Sequence, residues 1–337
     1  MTIAADTFIG AVTEFEVSVR ARDGERSERA FALMQQMFGS AGDDEFRQAA
    51  PRLAAVLGEV PAGPRSVAAV IVGACVERGA DPLPCAPAVF AVVRDAFESA
   101  AVFCDRWVLD GDGELPDPGQ NELTDEIIDL SGFDAAIAWW TLQQFQMAAL
   151  ALLNSREVRQ QIDGKGDLLA LVERADDATE GAFKGLSYAL RVLDDEPLIV
   201  LHRETRTGYA LRITGIGDNF QLHTLLAGAL IDGLYVPGEG PSAEAVAVCR
   251  GAEGQAPTTG SFNLVAPDGG WVWNEGTPSD IPLVDGVRLL VLDPPPYERG
   301  WPAGRYFPNM PGDLVLERVL GAQESAGWFA RVADAKG

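Results

Sequence analysis

The chain has 337 residues, and its 26 Lys and Arg residues stand against 50 Asp and Glu residues, which gives a formal net charge of −24. A surface this acidic repels a phosphate backbone, so the composition argues against a nucleic-acid partner. Hydrophobic residues make up 47% of the sequence, which is a globular composition and excludes disorder throughout. The length suggests about two domains.

The cysteines indicate the compartment. None of them forms a C-x-x-C pair, and a chain this long and cysteine-poor does not resemble a secreted disulfide framework. We therefore expect reduced thiols and a cytoplasmic location. The first residues, Met1–Asp6, lack a positively charged region, so we expect no signal peptide. The four cysteines are Cys75, Cys85, Cys104 and Cys249.

One apolar stretch needs to be weighed as a membrane span. Ala135–Leu153 is the best candidate, but Gln143, Gln144 and Gln146 lie at its centre. Lipid would leave these three amides without hydrogen-bond partners. The sequence therefore predicts a buried helix of a soluble protein and no membrane partner.

The composition changes near Pro197. Residues 1–196 hold 8 of the 21 prolines and a net charge of −18, whereas residues 197–337 hold 13 prolines and a net charge of −6. Apolar residues at helical spacing predict several helices in the first part, which we interpret as a helical domain. The predicted helices are Arg65–Arg78, Val89–Trp107, Ala135–Leu153, Asp167–Ala175 and Ala182–Leu193.

The second part, residues 197–337, has the patterns of strands and turns. Leu198–His202 and Tyr209–Thr214 flank a short turn and predict a hairpin. Phe262–Ala266 and Trp271–Trp273 flank Pro267-Asp-Gly-Gly270 and predict a second one. Val287–Leu292 predicts a further strand. We expect about seven strands in all.

Apolar spacing predicts two helices in the second part, Phe220–Ile231 and Gln323–Ala333. The expected fold is therefore α+β: an N-terminal all-α bundle, followed by a mostly antiparallel sheet domain with one or two helices.

The segment Arg212–His223 is the first candidate site. It runs from a strand through Gly215 and Gly217 into a predicted helix, and Asp218 or Asn219 stands where an N-cap belongs. Phe220 occupies the place of the third glycine in a dinucleotide fingerprint, so that motif is absent.

His223 is one of two histidines in the chain, and the other, His202, lies in the preceding strand. If the hairpin brings His202 near Arg212 and the helix start, the histidines and Asp218 could serve as acid/base groups of a hydrolytic enzyme or as metal ligands. The alternative is a glycine bend, a helix cap and hydrogen-bonded histidines with no catalytic role. We predict His223, Asp218, His202 and Arg212 as the candidate catalytic residues. Asn219 and Gln221, on the same segment, are candidate ligand-binding residues.

Aromatic residues cluster among the prolines of the second part. Trp271 and Trp273 are the candidate ligand-binding residues of this cluster, because aromatic loops beside prolines can line a groove for a peptide or a small molecule. The alternative is that the aromatic rings cover the ends of the sheet.

No metal site is predicted. Asp110–Glu114 resembles the start of a calcium loop, but Leu115 and Asn121 replace the required Gly and Glu. Asp176–Glu180 matches the D-D-x-x-E pattern of isoprenoid synthases. The β-rich second part and the scarcity of lysines differ from that class. The sequence does not identify a cofactor.

The stretch 105–134 is the strongest charge feature, because it holds ten acidic residues against one basic residue, Arg106. It is either a flexible acidic connection between helices or a docking surface for a cationic peptide or protein. We therefore carry two hypotheses: a cytosolic acidic binding or scaffold protein for a peptide, a basic partner or a small molecule, and a hydrolytic or acid/base enzyme with a site around residues 202–223. The ten acidic residues are Asp105, Asp110, Asp112, Glu114, Asp117, Glu122, Asp125, Glu126, Asp129 and Asp134.

Overall fold

The computed structural model describes residues 7–334, which divide into two compact units between Leu190 and Arg191. The composition shift placed this division slightly later, after Glu196. Residues 1–6, in which we expected no signal peptide, and residues 335–337 lie outside the described part. We call residues 7–190 the helical unit and residues 191–334 the sheet unit.

The helical unit consists of α-helices and one short 3₁₀ helix (Leu57–Glu59), with no strand among its described residues, as the apolar spacing predicted. Several of them begin at a side chain that accepts a hydrogen bond from the first helical turn, such as Thr7, Asp23 and Thr124. The α-helices found in residues 7–190 are α1 (Phe8–Arg20), α2 (Gly24–Phe38), α3 (Asp43–Val56), α4 (Ala62–Glu77), α5 (Ala86–Asp110), α6 (Asp125–Ser131), α7 (Phe133–Leu153), α8 (Arg156–Gln161), α9 (Lys165–Ala178) and α10 (Lys184–Arg191, whose last residue begins the sheet unit).

Helix α7 packs against α4 and α5 and is buried along most of its length. A Cβ atom added to Gly73 of α4 would lie 3.2 Å from Ala148 Cα, so the two backbones approach closely there. The most apolar stretch of the sequence is thus a core helix, as predicted. Within residues 7–334, no helix combines the length and the apolar character that crossing a membrane requires.

The sheet unit contains eight strands among its described residues, one more than expected. The strands are β1 (Glu196–His202), β2 (Thr207–Thr214), β3 (Ala256–Thr259), β4 (Asn263–Val265), β5 (Leu283–Val284), β6 (Val287–Asp293), β7 (Gly300–Ala303) and β8 (Asp313–Val319). The helices are α11 (Asn219–Ala227), which continues as a π-helical turn (Gly228–Asp232), α12 (Ala243–Arg250) and α13 (Ala322–Phe329).

Six of the strands form one sheet in the order β4-β6-β1-β2-β8, with β5 also paired to β6. The β1–β2 hairpin is antiparallel, as predicted, and β1 and β6 form the one parallel pair of this sheet. The second predicted hairpin is only partly right. Its first arm is β4, but the second arm is reduced to a single bridge between Val265 and Trp271. The mainly antiparallel α+β class is confirmed.

Side chains alternate between the two faces of the sheet, as a strand period of two requires. Leu198 and Val200 of β1 pack into the larger core with α11 and α12, whereas Ile199 and Leu201 pack on the opposite face with Phe329 of α13. This alternation decides which polar side chains of the hairpin can approach α11.

The turn from β2 into α11 depends on Gly215. Its φ is +66°, in the left-handed region, and a Cβ atom at this position would lie 2.2 Å from the carbonyl oxygen of Pro311. A side chain at this position would therefore carry two costs, one from the left-handed backbone conformation and one from the clash with a backbone oxygen.

We expect Gly215→Ala to lower the free energy of unfolding by about 3 kcal/mol or more, because the backbone near Pro311 must move. The matched control is Gly286→Ala, since Gly286 has a φ of +81° and open space around it. The control should lose only the left-handed cost of about 1–2 kcal/mol. Chemical denaturation of both variants checks this, and equal losses would show that the Pro311 contact is not limiting.

Candidate functional site

Helix α11 begins where the sequence predicted a cap. The Asp218 carboxylate accepts a hydrogen bond from the Gln221 amide at 2.8 Å, and Gly217 lets the Phe307 ring pack closely, since a Cβ there would lie 3.0 Å from it. Burial raises the pKa of Asp218 to about 6, against the hydrogen bonds from the Gln221 and Phe220 amides.

Four polar side chains of α11 are almost fully buried: Asn219, Gln221, His223 and Thr224. Thr224 donates within the helix, to the Phe220 carbonyl at 3.0 Å, whereas the other three reach other segments. Asn219 Nδ2 donates to the Trp273 carbonyl at 2.9 Å. Gln221 accepts from the Gly217 amide at 2.9 Å and donates to the Cys249 carbonyl at 2.6 Å. Asn219 and Gln221 thus bind the backbone of other segments and fix those segments to the helix.

His223 is held in the same way. Its Nε2 accepts hydrogen bonds from the amides of Ser261, at 3.1 Å, and Phe262, at 3.3 Å. The ring stacks on Phe262 and meets Trp301 edge-on, with centroids 5.9 and 5.0 Å away. Burial, together with the Arg299 charge, lowers the pKa of His223 to about 3. The imidazole is therefore neutral at pH 7, and Nε2 carries no proton.

His202 lies at the end of β1 and is 5% exposed. Its Nδ1 is 2.9 Å from Thr205 Oγ1 and accepts from the Thr205 amide at 3.3 Å. Burial lowers its pKa as well. Both histidine rings contact Phe262, but within residues 7–334 no hydrogen bond joins them to each other or to Asp218.

Arg212 lies away from this group, so the expectation that the hairpin places it near His202 is wrong. In the strand register, His202 pairs with Thr207 and Arg212 pairs with Pro197, at opposite ends of the hairpin. Strand alternation also directs Arg212 to the face away from α11. Its guanidinium binds Glu317 at 2.6 Å and the carbonyl of Asp195 at 2.6 Å.

The predicted tryptophan pair is at the surface. Trp271 is 41% exposed and Trp273 is 60% exposed, and their rings meet edge to face with centroids 5.4 Å apart. The Trp273 carbonyl binds Asn219, so this loop is attached to the start of α11. The structure therefore brings together five predicted residues, Asp218, Asn219, Gln221, His223 and Trp273, around one helix.

Two further residues of this region, Asn274 and Arg299, escaped the sequence interpretation, and a third, Trp301, belongs to the predicted aromatic cluster but was not among its candidate ligand-binding residues. Asn274 is 4% exposed and interacts with His223. Arg299 donates to the Phe262 carbonyl at 2.9 Å. The one signal that could have found Asn274 is the alternation in 271–274. Trp271 and Trp273 are exposed and the residues after each of them are buried, so Asn274 is directed inward.

The acidic stretch 105–134 lies at the surface of the helical unit. It covers the end of α5, the loop 111–124, α6 and the start of α7, and all ten of its acidic residues are exposed. Three indole N–H groups donate to carbonyls of the loop: Trp107 to Glu114 at 3.1 Å, Trp139 to Pro116 at 2.8 Å and Trp140 to Asn121 at 3.2 Å. These bonds fix the backbone that carries the acidic residues.

The D-D-x-x-E pattern does not lie on one helix. Helix α9 ends at Ala178, Asp176 accepts a hydrogen bond from the Phe183 amide at 2.7 Å, and Glu180 follows with a φ of +53°. Across residues 7–334, the structure gathers no group of three or more His, Cys, Asp or Glu side chains that could hold a metal ion.

The fold defines an α+β protein with a helical unit and a sheet unit. In the sheet unit, buried polar side chains of helix α11 bind the backbone of the surrounding segments. Comparisons with family models, with curated proteins and with solved structures found no match.

The opposite pKa shifts of Asp218 and His223 predict opposite effects of pH on stability. The pKa of Asp218 is raised in the folded state, so its protonated form stabilises the fold, and that contribution is lost as pH rises from about 4 through 6. Relative to Asp218→Asn, which keeps the cap acceptor, the free energy of unfolding of the wild-type chain should fall by on the order of 3 kcal/mol over this range. Denaturation series at several pH values measure this difference, and a constant difference would contradict it.

The pKa of His223 is lowered in the folded state, so its contribution is present above pH 6.5 and is lost as pH falls toward 3. The stability advantage of the wild-type chain over His223→Gln should therefore shrink between pH 6.5 and 4, measured by the same denaturation series. An advantage that grows on acidification would mean that the folded protein holds a charged imidazole.

Proposed function

We propose that this protein is an acidic binding protein whose helical unit docks a basic, amphipathic segment of a partner protein. The observation that carries the proposal is the exposure of two consecutive aliphatic side chains within the acidic stretch. Val108 is 80% exposed and Leu109 is 79% exposed. Exposed apolar side chains among surface charges of a single sign are typical of a protein interaction site.

The apolar part of this surface extends over two helices. Val102, Arg106 and Leu109 follow each other at i, i+4 and i+7 along α5 and so share one face. Arg106 donates a hydrogen bond to the Ser131 carbonyl, which brings this face to the start of α7. There Phe133 is 56% exposed. The proposed apolar strip consists of Val102 and Leu109, on the face of α5 that carries Arg106, and Phe133, two residues after Ser131.

The charges around this strip select the partner. Arg106 is engaged with the backbone, and Asp105 pairs with Arg174. Asp110 and Asp112 follow the exposed aliphatic pair in the chain, and all ten acidic residues of the stretch are exposed. A partner helix with lysine or arginine on one face and leucine on the other matches both features. Exposed ion pairs contribute little affinity, but they speed the encounter, and apolar burial then supplies binding energy.

The alternative, an acid/base enzyme around residues 202–223, has less support. A general base needs an available lone pair near a reactive group. The Nε2 lone pair of His223 already accepts two backbone amides, and His202 Nδ1 is engaged by Thr205.

A cytoplasmic location fits the thiols. All four cysteines are buried and free, and burial raises the pKa of Cys75 and Cys85 to about 12. Free cysteines are typical of a reducing compartment.

Neutralising the surface tests the proposal. We expect the combined variant Asp110→Asn, Asp112→Asn, Asp117→Asn and Asp125→Asn to raise the Kd of a synthetic amphipathic Lys/Leu helical peptide about tenfold at low salt and to flatten its salt dependence. The matched control removes four exposed acids elsewhere in the helical unit: Asp163→Asn, Asp167→Asn, Asp177→Asn and Glu180→Gln. Titration calorimetry compares them, and equal weakening by both variants would overturn the proposal.

The apolar strip has a separate test. Leu109→Ser should raise the Kd of the same peptide while leaving the slope of affinity against salt unchanged, because it removes apolar burial and no charge. An unchanged Kd would show that the peptide binds by charge alone, against the proposed strip.

A further inference from the structure

The sheet unit contains a concentration of buried polar atoms that no protein group satisfies. Within residues 7–334, ten buried side-chain nitrogen and oxygen atoms have no hydrogen-bond partner, and six of them belong to residues around α11. Buried polar groups in folded proteins are almost always paired, with protein, water or a ligand. The six atoms are Asn219 Oδ1, His223 Nδ1, Asn274 Oδ1, Asn274 Nδ2, Arg299 Nε and Trp301 Nε1.

These residues are neighbours. Asn219 and His223 lie one turn apart on the same face of α11. The Trp301 ring centroid is 5.0 Å from that of His223. The Asn274 side chain is close enough to His223 to raise its pKa, although the two side chains do not meet in hydrogen-bond geometry. The Arg299 and Trp301 side chains meet at Gly260, where an added Cβ would lie 2.9 Å from Arg299 Nε and 3.3 Å from the Trp301 ring.

Donors outnumber acceptors in this group. Because His223 Nε2 accepts two backbone amides, its Nδ1 carries the proton and is a donor. Asn274 Nδ2, Arg299 Nε and Trp301 Nε1 are also donors, and Arg299 carries a positive charge. The acceptors are the two side-chain oxygens of Asn219 and Asn274. Such a set suits a ligand with negatively charged oxygen atoms.

The surroundings also suit a small organic molecule. The rings of Phe262 and Trp301 contact His223, and Phe220 contacts Trp301 with centroids 5.4 Å apart. Three aromatic side chains therefore flank the polar atoms. Aromatic side chains around a few polar groups are the typical composition of small-molecule sites.

We propose that Asn219, His223, Asn274, Arg299 and Trp301 form a binding site for a small organic carboxylate in the sheet unit. The carboxylate oxygens accept from the Arg299, Trp301 and His223 N–H groups, and the Asn274 carboxamide lies alongside. This site is independent of the acidic docking surface, which belongs to the helical unit.

The Trp301 indole N–H reports directly on the site. In the full-length protein labelled with nitrogen-15 tryptophan, we expect its resonance, assigned with Trp301→Phe, to shift saturably on titration with sodium acetate. Acetamide, the uncharged isostere, should shift it much less. A resonance that does not respond saturably to acetate would mean that only water pairs with these atoms, which overturns the proposal.

Variants locate the response. Arg299→Gln should raise the Kd of acetate about tenfold, whereas Arg250→Gln removes the same charge from an exposed ion pair with Asp313 and should change the Kd less than about twofold. Equal effects of the two variants would show that acetate responds to net charge and not to this site.

Asn274→Asp gives a second readout that does not depend on a ligand. A carboxylate at this position should occupy the place of the ligand among the donors. We expect its melting temperature at pH 7 to exceed that of the wild-type chain and its response to acetate to disappear. Asn274→Leu, which removes the polar group without adding charge, is the matched control. A lower melting temperature for Asn274→Asp than for Asn274→Leu would contradict a donor-rich site.

Discussion

The sheet unit depends on one constraint: helix α11 is buried on nearly all sides, yet it carries polar side chains that must find partners. They find them in the backbone of surrounding segments. Asn219 binds the Trp273 carbonyl, Gln221 joins the Gly217 amide to the Cys249 carbonyl, and His223 accepts the amides of Ser261 and Phe262. These backbone groups lie in loops or, for Cys249, in the last turn of α12, where secondary structure leaves groups without partners, so α11 supplies the missing donors and acceptors.

Local patterns were sufficient for the parts of the fold in which neighbours in sequence are neighbours in space. The β1–β2 hairpin, β6, α7 and the Asp218 cap follow from strand alternation, apolar spacing and one glycine bend. The patterns supplied no helix bounds before Arg65, although α1, α2 and α3 occupy that region. Helix α2 buries only Ala30 and Met34, so few of its apolar side chains take part in the core.

The candidate site was predictable only in part, for a related reason. Asp218, Asn219, Gln221 and His223 share one helix, and their proximity follows from helix geometry. Arg299 and Trp301 reach the same place through the β3–β7 ribbon, and Asn274 through a loop. No local pattern encodes a meeting of distant segments. The same limit explains the error at Arg212, because only the strand register shows that it lies at the other end of the hairpin from His202.

The two histidines show why residue type alone does not define chemistry. A histidine near an aspartate suggests acid/base catalysis, but burial lowers the pKa of His223 to about 3 and backbone amides occupy its Nε2. What remains is a neutral ring with one N–H to donate. With Arg299 and Trp301 beside it, that N–H contributes to recognising an oxygen acceptor more readily than to moving a proton. The same burial that removes His223 from general-base chemistry makes its second nitrogen a fixed hydrogen-bond donor.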